Sequence, residues 1–170
     1  MAEVYDEFDD LEMAEDDETE EGKYLTFNLD TEAYGLEITY VTEIIGIQKI
    51  TEVPELPEYV KGIMSLRGQI IPVVDVRLRF GKPARSYDER TCVIVVEIAD
   101  ITVGLIVDGV TEVVAIPAEE IVPHPDLDES DSRQFVKGIG KVGTSVKLIL
   151  DCHKLLTDDE GENPDREIGY

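Results

Sequence analysis

Tyr59–Gly81, reading YVKGIMSLRGQIIPVVDVRLRFG, decides the fold of this 170-residue chain. The apolar runs Ile63–Leu66 and Ile70–Val74 meet at Arg67-Gly68, a corner tight enough to make them a hairpin. Asp75 then stands where a helical turn begins, a position at which a carboxylate accepts from orphan backbone N–H groups. A second copy, FVKGIGKVGTSVKLILDCHKLL, occupies Phe135–Leu156, and the interval from Gly62 to Asp75 recurs from Gly138 to Asp151. A guanidinium at a hairpin tip has two readings: a tether to nearby carbonyls, or a contact for a partner. The sequence leaves both open for Arg67.

The repeat extends upstream of the hairpin. Gly35–Ile38 falls on Gly104–Val107 and Val41–Ile45 on Val110–Val114, both at an offset of 69. Val60–Ile63 falls on Val136–Ile139 at an offset of 76, which puts seven extra residues in the polar loop Pro117–Gln134. Register kept over this length points to duplication of one supersecondary unit. In the first unit Leu25, Phe27 and Leu29 alternate with polar neighbours, Asp30–Glu32 turns the chain, and Tyr34, Leu36 and Ile38 alternate on the return. Tyr40–Ile45 reads as a helical turn leading to a strand at Ile45–Ile50, and Val53–Pro57 as extended because of its prolines. Gly81–Arg90 is a polar linker, after which strands are predicted at Cys92–Ile98, Ile101–Val107 and Thr111–Ile116. Asp108 and Asp151, like Asp75, are read as helix caps. Around five short strands per half suit a small closed barrel, which removes exposed edges. A barrel that small buries a marginal core, so the two halves, 23–81 and 91–150, are expected to pack together and leave an apolar groove at their seam.

Charge separates the body from its ends. The net charge of −24 is concentrated in residues 1–21, with twelve acids and no base, and in 158–170, with six acids and Arg166. Residues 1–22 are therefore read as a disordered acidic tail and 158–170 as a second, with a folded body at 23–157 that ends in a closing helix at 151–156. Val4, Tyr5, Phe8, Leu11 and Met13 fall near helical spacing within the first tail. Such a chain is repelled by phosphates and anionic lipid, which argues against nucleic acid and direct membrane contact. Cys92 and Cys152 have no framework spacing and are read as free thiols of a reducing, cytoplasmic compartment. Only two histidines exist, His124 and His153, and neither Cys152 nor any other cluster completes a metal site with them. With no nucleophile elbow, phosphate loop or zinc-protease motif, the chain reads as a non-enzyme without metal or cofactor.

Leu66-Arg67-Gly68 followed by Ile71-Pro72-Val73-Val74-Asp75 is a specific run, and Gly104-Leu105-Ile106-Val107-Asp108 supports it. With Tyr24–Leu29, Val41–Ile45, Pro54, Pro57, Tyr59–Ile63, Val110 and Leu148–Leu156, these residues follow in order the pattern of CheW, the bacterial chemotaxis coupling family, over about 23–156. The resemblance implies an all-β fold of two SH3-like five-stranded β-barrel subdomains packed together, with short helical turns. It implies a scaffold that couples chemoreceptor cytoplasmic tips (methyl-accepting chemotaxis proteins) to the regulatory domain of the CheA histidine kinase. Such a protein would be a monomer when free and part of a ring or array when bound. By position, Leu25, Ile38, Val41, Ile44 and Val110 correspond to groove residues that hold a receptor helix. Glu43, Arg67 and Gly68 match positions associated with receptor coupling and kinase control. The kinase-binding residues are not placed. Ser65 stands where the family usually has Asn, and the N-terminal acidic extension is longer than the family needs. The alternative is an adaptor of the same fold in another two-component pathway.

Overall fold

A computed structural model describes residues 21–123 and 134–157. The acidic tails predicted at 1–22 and 158–170 lie, apart from Glu21 and Gly22, outside the described residues. Strands β1 (Lys23–Leu29) and β2 (Glu32–Glu37) open the fold, and a 3-10 turn at Ile38–Tyr40 leads into β3 (Val41–Gly46). The predicted helical turn and strand are thus displaced: the turn comes earlier, and Ile47–Ile50 is outside any strand. The β-branched residues of Val41–Ile45 pair with β6 (Cys92–Ile98), which overrides the weak local helical signal.

β4 (Val60–Leu66) and β5 (Gln69–Asp75) form the expected hairpin, followed by the single turn α1 (Val76–Arg79). Both central residues of its corner have positive φ, 52° at Arg67 and 81° at Gly68, the pattern of a type I′ turn whose twist matches the strands. β6, β7 (Ile101–Val107), β8 (Gly109–Ala115), a 3-10 turn at Ala118–Glu120, β9 (Ile121–Pro123), β10 (Val136–Val142), β11 (Ser145–Leu150) and α2 (Cys152–Leu156) complete the described elements. Asp75 accepts from the backbone N–H groups of Arg77 and Leu78, and Asp151 from that of Lys154, as predicted for caps. Asp108 does not cap: β8 follows it directly, so it has no helix N-terminus to serve.

Among the described residues the strands form two sheets, ordered β8-β1-β2-β11-β10-β9 and β3-β6-β7-β5-β4. Their pairings superimpose at the offsets seen in the sequence. Thr26↔Gly35 answers to Val95↔Gly104, Thr26↔Glu112 to Val95↔Glu43, and the parallel pair Ile149↔Gly35 to Val73↔Gly104. Even the bulge recurs, Phe27 meeting Val110 as Val96 meets Val41. The sheets nevertheless do not follow the predicted halves 23–81 and 91–150. β1-β2 joins strands of the second half, and β6-β7 joins strands of the first, so the duplicated units exchange their leading hairpins. Sequence repeats report what is duplicated, and pairing across the seam is decided by packing.

Each sheet curls. β8 and β9, the ends of one sheet, are separated in the chain by Ile116–Glu120 alone. In the other, Thr51 pairs with Ile63 at the outer edge of β4. Gly62 makes that approach possible: its φ is 147°, and a Cβ there would lie 2.1 Å from the Thr51 carbonyl oxygen. Opposite faces of the strands then feed different cores. Leu25, Phe27, Leu36, Ile94, Val96 and Leu105 point between the sheets into the largest cluster. Val93, Val95, Ile106, Met64, Ile71 and Val73 fill one curl, and Tyr24, Ile116 and Ile149 the other. Each fully buried aliphatic side chain contributes about 1.5–3 kcal/mol relative to exposure. A run of ring contacts crosses the seam, from Phe27 to Tyr34 (5.5 Å between centroids), Phe80 (5.3 Å) and Phe135 (5.4 Å). Arg79 then stacks over Phe135 and Tyr59 and donates to the carbonyls of Lys154, Leu155 and Thr157, fastening the end of α2.

Candidate functional site

The hairpin tip carries the first group of predicted residues. Arg67 reaches back across its own sheet to Glu43 on β3, the opposite edge strand. Its two terminal nitrogens face the two carboxylate oxygens, one contact being 2.6 Å, in the bidentate arrangement that favours arginine over lysine. The Arg67 side chain is 66% exposed while that of Glu43 is 10% exposed, so the guanidinium clamps one carboxylate and still presents a face outward. The clamped carboxylate sits on a distant strand, a partner the sequence did not point to. Gly68 beside it is exposed, with nothing within 4 Å of a hypothetical Cβ.

The second group divides. Leu25, Ile38 and Ile44, expected to line a groove, are 0%, 5% and 6% exposed within the core between the sheets. The exchanged hairpins draw these faces together, so the junction is filled by the chain's own side chains. The three residues underlie the seam and do not line an open cleft. Val41 and Val110 are half-buried and pack on that same core, one from each sheet, at the equivalent bulges. The structure therefore brings Glu43, Arg67 and Gly68 to one tip, leaves Val41 and Val110 at the seam, and withdraws Leu25, Ile38 and Ile44 from solvent.

Sequence reasoning missed a polar lock across the seam. Arg77, 7% exposed, donates to Asp30 (3.0 Å), Asp108 (2.9 Å) and the Pro83 carbonyl (2.9 Å). Asp108 also accepts from Arg85 (2.7 Å) and from the Asp30 backbone N–H (2.8 Å). Asp30 belongs to one sheet's β1-β2 turn, while Arg77 follows β5 of the other, so the lock spans the seam. The hydrogen bond from Arg77 holds the Asp30 carboxyl below its ordinary range. The Tyr87 hydroxyl, raised by burial and by its 2.8 Å bond to Asp75, pins the linker to the capping residue. The available signal was the spacing Asp75-x-Arg77: a cap anchors the turn that carries the buried arginine.

A depression of about 250 Å³ lies beside β4, lined by residues including Lys49, Thr51, Ile63 and Ile70. Among the described residues no group of three or more His, Cys, Asp or Glu could hold a metal ion, and no helix is long and apolar enough to cross a membrane. Cys92 and Cys152 are free thiols, half-buried and buried.

The architecture defines a duplicated all-β protein with interlocked sheets and an exposed Arg67–Glu43 pair at a hairpin tip. A family model described as the CheW-like domain matches residues 23–160. The chemotaxis protein CheW of Klebsiella aerogenes is 37% identical over 143 residues, covering 84% of this chain and 86% of that protein. That of Bacillus subtilis is 30% identical over 141 residues, covering 83% and 90%. The crystal structure of the scaffolding protein TtCheW from Thermoanaerobacter tengcongensis matches with a TM-score of 0.76 and 39% identity, covering 84% of this chain and 97% of that one. The chain belongs to the CheW-like family, and its fold is the two-subdomain β-barrel architecture of that family.

Proposed function

We propose that the chain is a non-enzymatic chemotaxis scaffold, working in the cytoplasm, that couples chemoreceptor tips to the regulatory domain of the CheA kinase. The match to the CheW-like family over residues 23–160 carries this reading. Residues 23–157 form the working unit, between acidic segments at 1–22 and 158–170. A receptor helix lies along the seam against Val41 and Val110, above the layer of Leu25, Ile38 and Ile44, and meets the Glu43–Arg67–Gly68 tip. An amphipathic helix is the fitting ligand because Val41 and Val110 leave partly exposed apolar surface at the seam, with Glu43 two residues beyond Val41. Ordering costs leave each such contact near micromolar, and ring or array assembly supplies the remaining strength by avidity. The free protein is a monomer without cofactor.

A titration of labelled protein with a receptor-tip fragment and, separately, with the kinase regulatory domain tests it. Amide shifts are expected at Val41, Val110 and residues 65–69 with the receptor fragment, and over a different surface with the kinase domain. Absence of binding to both fragments overturns the proposal.

A further inference from the structure

We infer that Glu112 of β8 meets a cationic side chain of the receptor helix, in the place that Arg67 fills for Glu43 in the first unit. This rests on the coupling reading and adds a charge requirement on the partner. The repeat carries it. Under the offset of 69 Glu43 corresponds to Glu112, and the two take the same station in their sheets, Glu43 opposite Val95 and Glu112 opposite Thr26. Each stands just past the bulge that follows Val41 or Val110, the two residues left at the seam. Under the offset of 76 the hairpin pair Leu66↔Gln69 corresponds to Val142↔Ser145, and Arg67 to Gly143. Both of these first corner residues are left-handed, with φ of 52° at Arg67 and 63° at Gly143. The second unit thus repeats the carboxylate and the hairpin end and omits the guanidinium. A Cβ at Gly143 would meet nothing within 4 Å, so the space beside that corner is open. Glu112 is exposed, and no cation pairs with it among the described residues.

The backbone that carries Glu112 is also pinned. The hydroxyl of the buried Thr26 donates to the Glu112 carbonyl (2.8 Å) and accepts from its N–H (3.2 Å), bonds that Val95 has no side-chain group to make at Glu43. A carboxylate on a fixed strand loses little freedom on pairing. With Glu43 already neutralised by Arg67, an arginine or lysine of the helix is the group that complements the remaining carboxylate. The two ends of the seam then differ in charge, which sets which way round the helix lies.

Titration of the full chain with a receptor-tip fragment tests this, with the kinase regulatory domain titrated in parallel. Glu112→Gln is compared with Glu97→Gln, which removes an exposed charge from β6, and with Gly143→Arg, which supplies the missing guanidinium within the chain. Glu112→Gln and Gly143→Arg are each expected to weaken receptor-fragment binding about threefold or more, the loss shrinking in roughly 0.5 M NaCl. The double variant should bind no more weakly than the weaker single one, because both changes act through one carboxylate. Glu97→Gln should bind as the unmodified protein does. Equal affinities of Glu112→Gln and Glu97→Gln overturn the inference alone, whereas no binding by the unmodified protein overturns the coupling reading and the inference with it. Losses that add in the double variant overturn it as well, since the added guanidinium would then not be competing for Glu112. A loss confined to the kinase domain assigns the carboxylate to that partner and also overturns it.

Discussion

Arg67→Ala separates the two roles open to this side chain, because they carry different costs. The guanidinium is 66% exposed, so its removal uncovers little core. Exposed ion pairs contribute about 0.2–1 kcal/mol, and the bidentate geometry with a largely covered Glu43 puts this one near the upper end. About 1 kcal/mol translates into a melting loss of about 2–4 °C for a chain of this size. Leu105→Ala, at a side chain with no exposure, should cost about 2–5 kcal/mol and provides the scale. Urea unfolding of Arg67→Ala, Glu43→Ala and the double variant forms a cycle whose coupling term is expected near 1 kcal/mol. The same proteins are then titrated with a receptor-tip fragment. If the outward face of Arg67 touches the receptor, Arg67→Ala loses about tenfold more affinity than Glu43→Ala, equivalent to about 1.4 kcal/mol. A melting loss matching that of Leu105→Ala, or a coupling term of zero, refutes the clamp. Equal affinity losses in the two single variants assign Arg67 to holding the sheet edges together and not to the partner.

Gly62→Ala should destabilise by about 3–5 kcal/mol in urea melts, since its Cβ would overlap the Thr51 carbonyl, whereas Gly68→Ala meets only backbone strain of about 1 kcal/mol. Arg77→Met should cost about 3 kcal/mol by calorimetry, because Asp108 is left covered with Arg85 as its remaining cation. The Cys152 thiol, pushed up to about 12 by burial and then by Glu37 and Asp151, should resist a disulfide reagent at pH 8 while Cys92 reacts, with Cys152 reacting on unfolding. The linkage has a definite sign: the folded thiol holds its proton more tightly than the unfolded one. Its stabilising contribution is therefore complete below the unfolded value near 9 and is lost between there and about 12, which Cys152→Ala should remove from the alkaline stability profile.

The legible parts of the sequence were those governed by local rules. The Arg67-Gly68 corner, the caps at Asp75 and Asp151 and most strands follow from turn chemistry, alternation and hydrogen-bond supply. The duplication was legible too, since the offsets 69 and 76 reappear as strand register. What sequence could not assign was which partner an edge chooses. Val41–Ile45 looks ambiguous until β6 is beside it, and Asp108 resembles the other strand-terminal aspartates until Arg77 arrives from the opposite unit. Burial misled for the same reason. Leu25, Ile38 and Ile44 were placed in a groove by the family resemblance, but the exchanged hairpins give them a common core.

That exchange also explains why a symmetric backbone can present two unlike seams. Under the repeat, Arg77 corresponds to His153, Asp108 to Thr39 and Asp30 to Ala99. One seam is thus fastened by a charged lock under the 81–90 linker, while its counterpart carries the Tyr40–His153 edge contact at 6.0 Å and, among the described residues, no such network. Because each sheet is built from both units, shifting one relative to the other means breaking the shared core as well as the lock. Sliding at the seam is therefore opposed by many buried apolar contacts, whereas an exposed ion pair such as Glu43–Arg67 contributes little resistance.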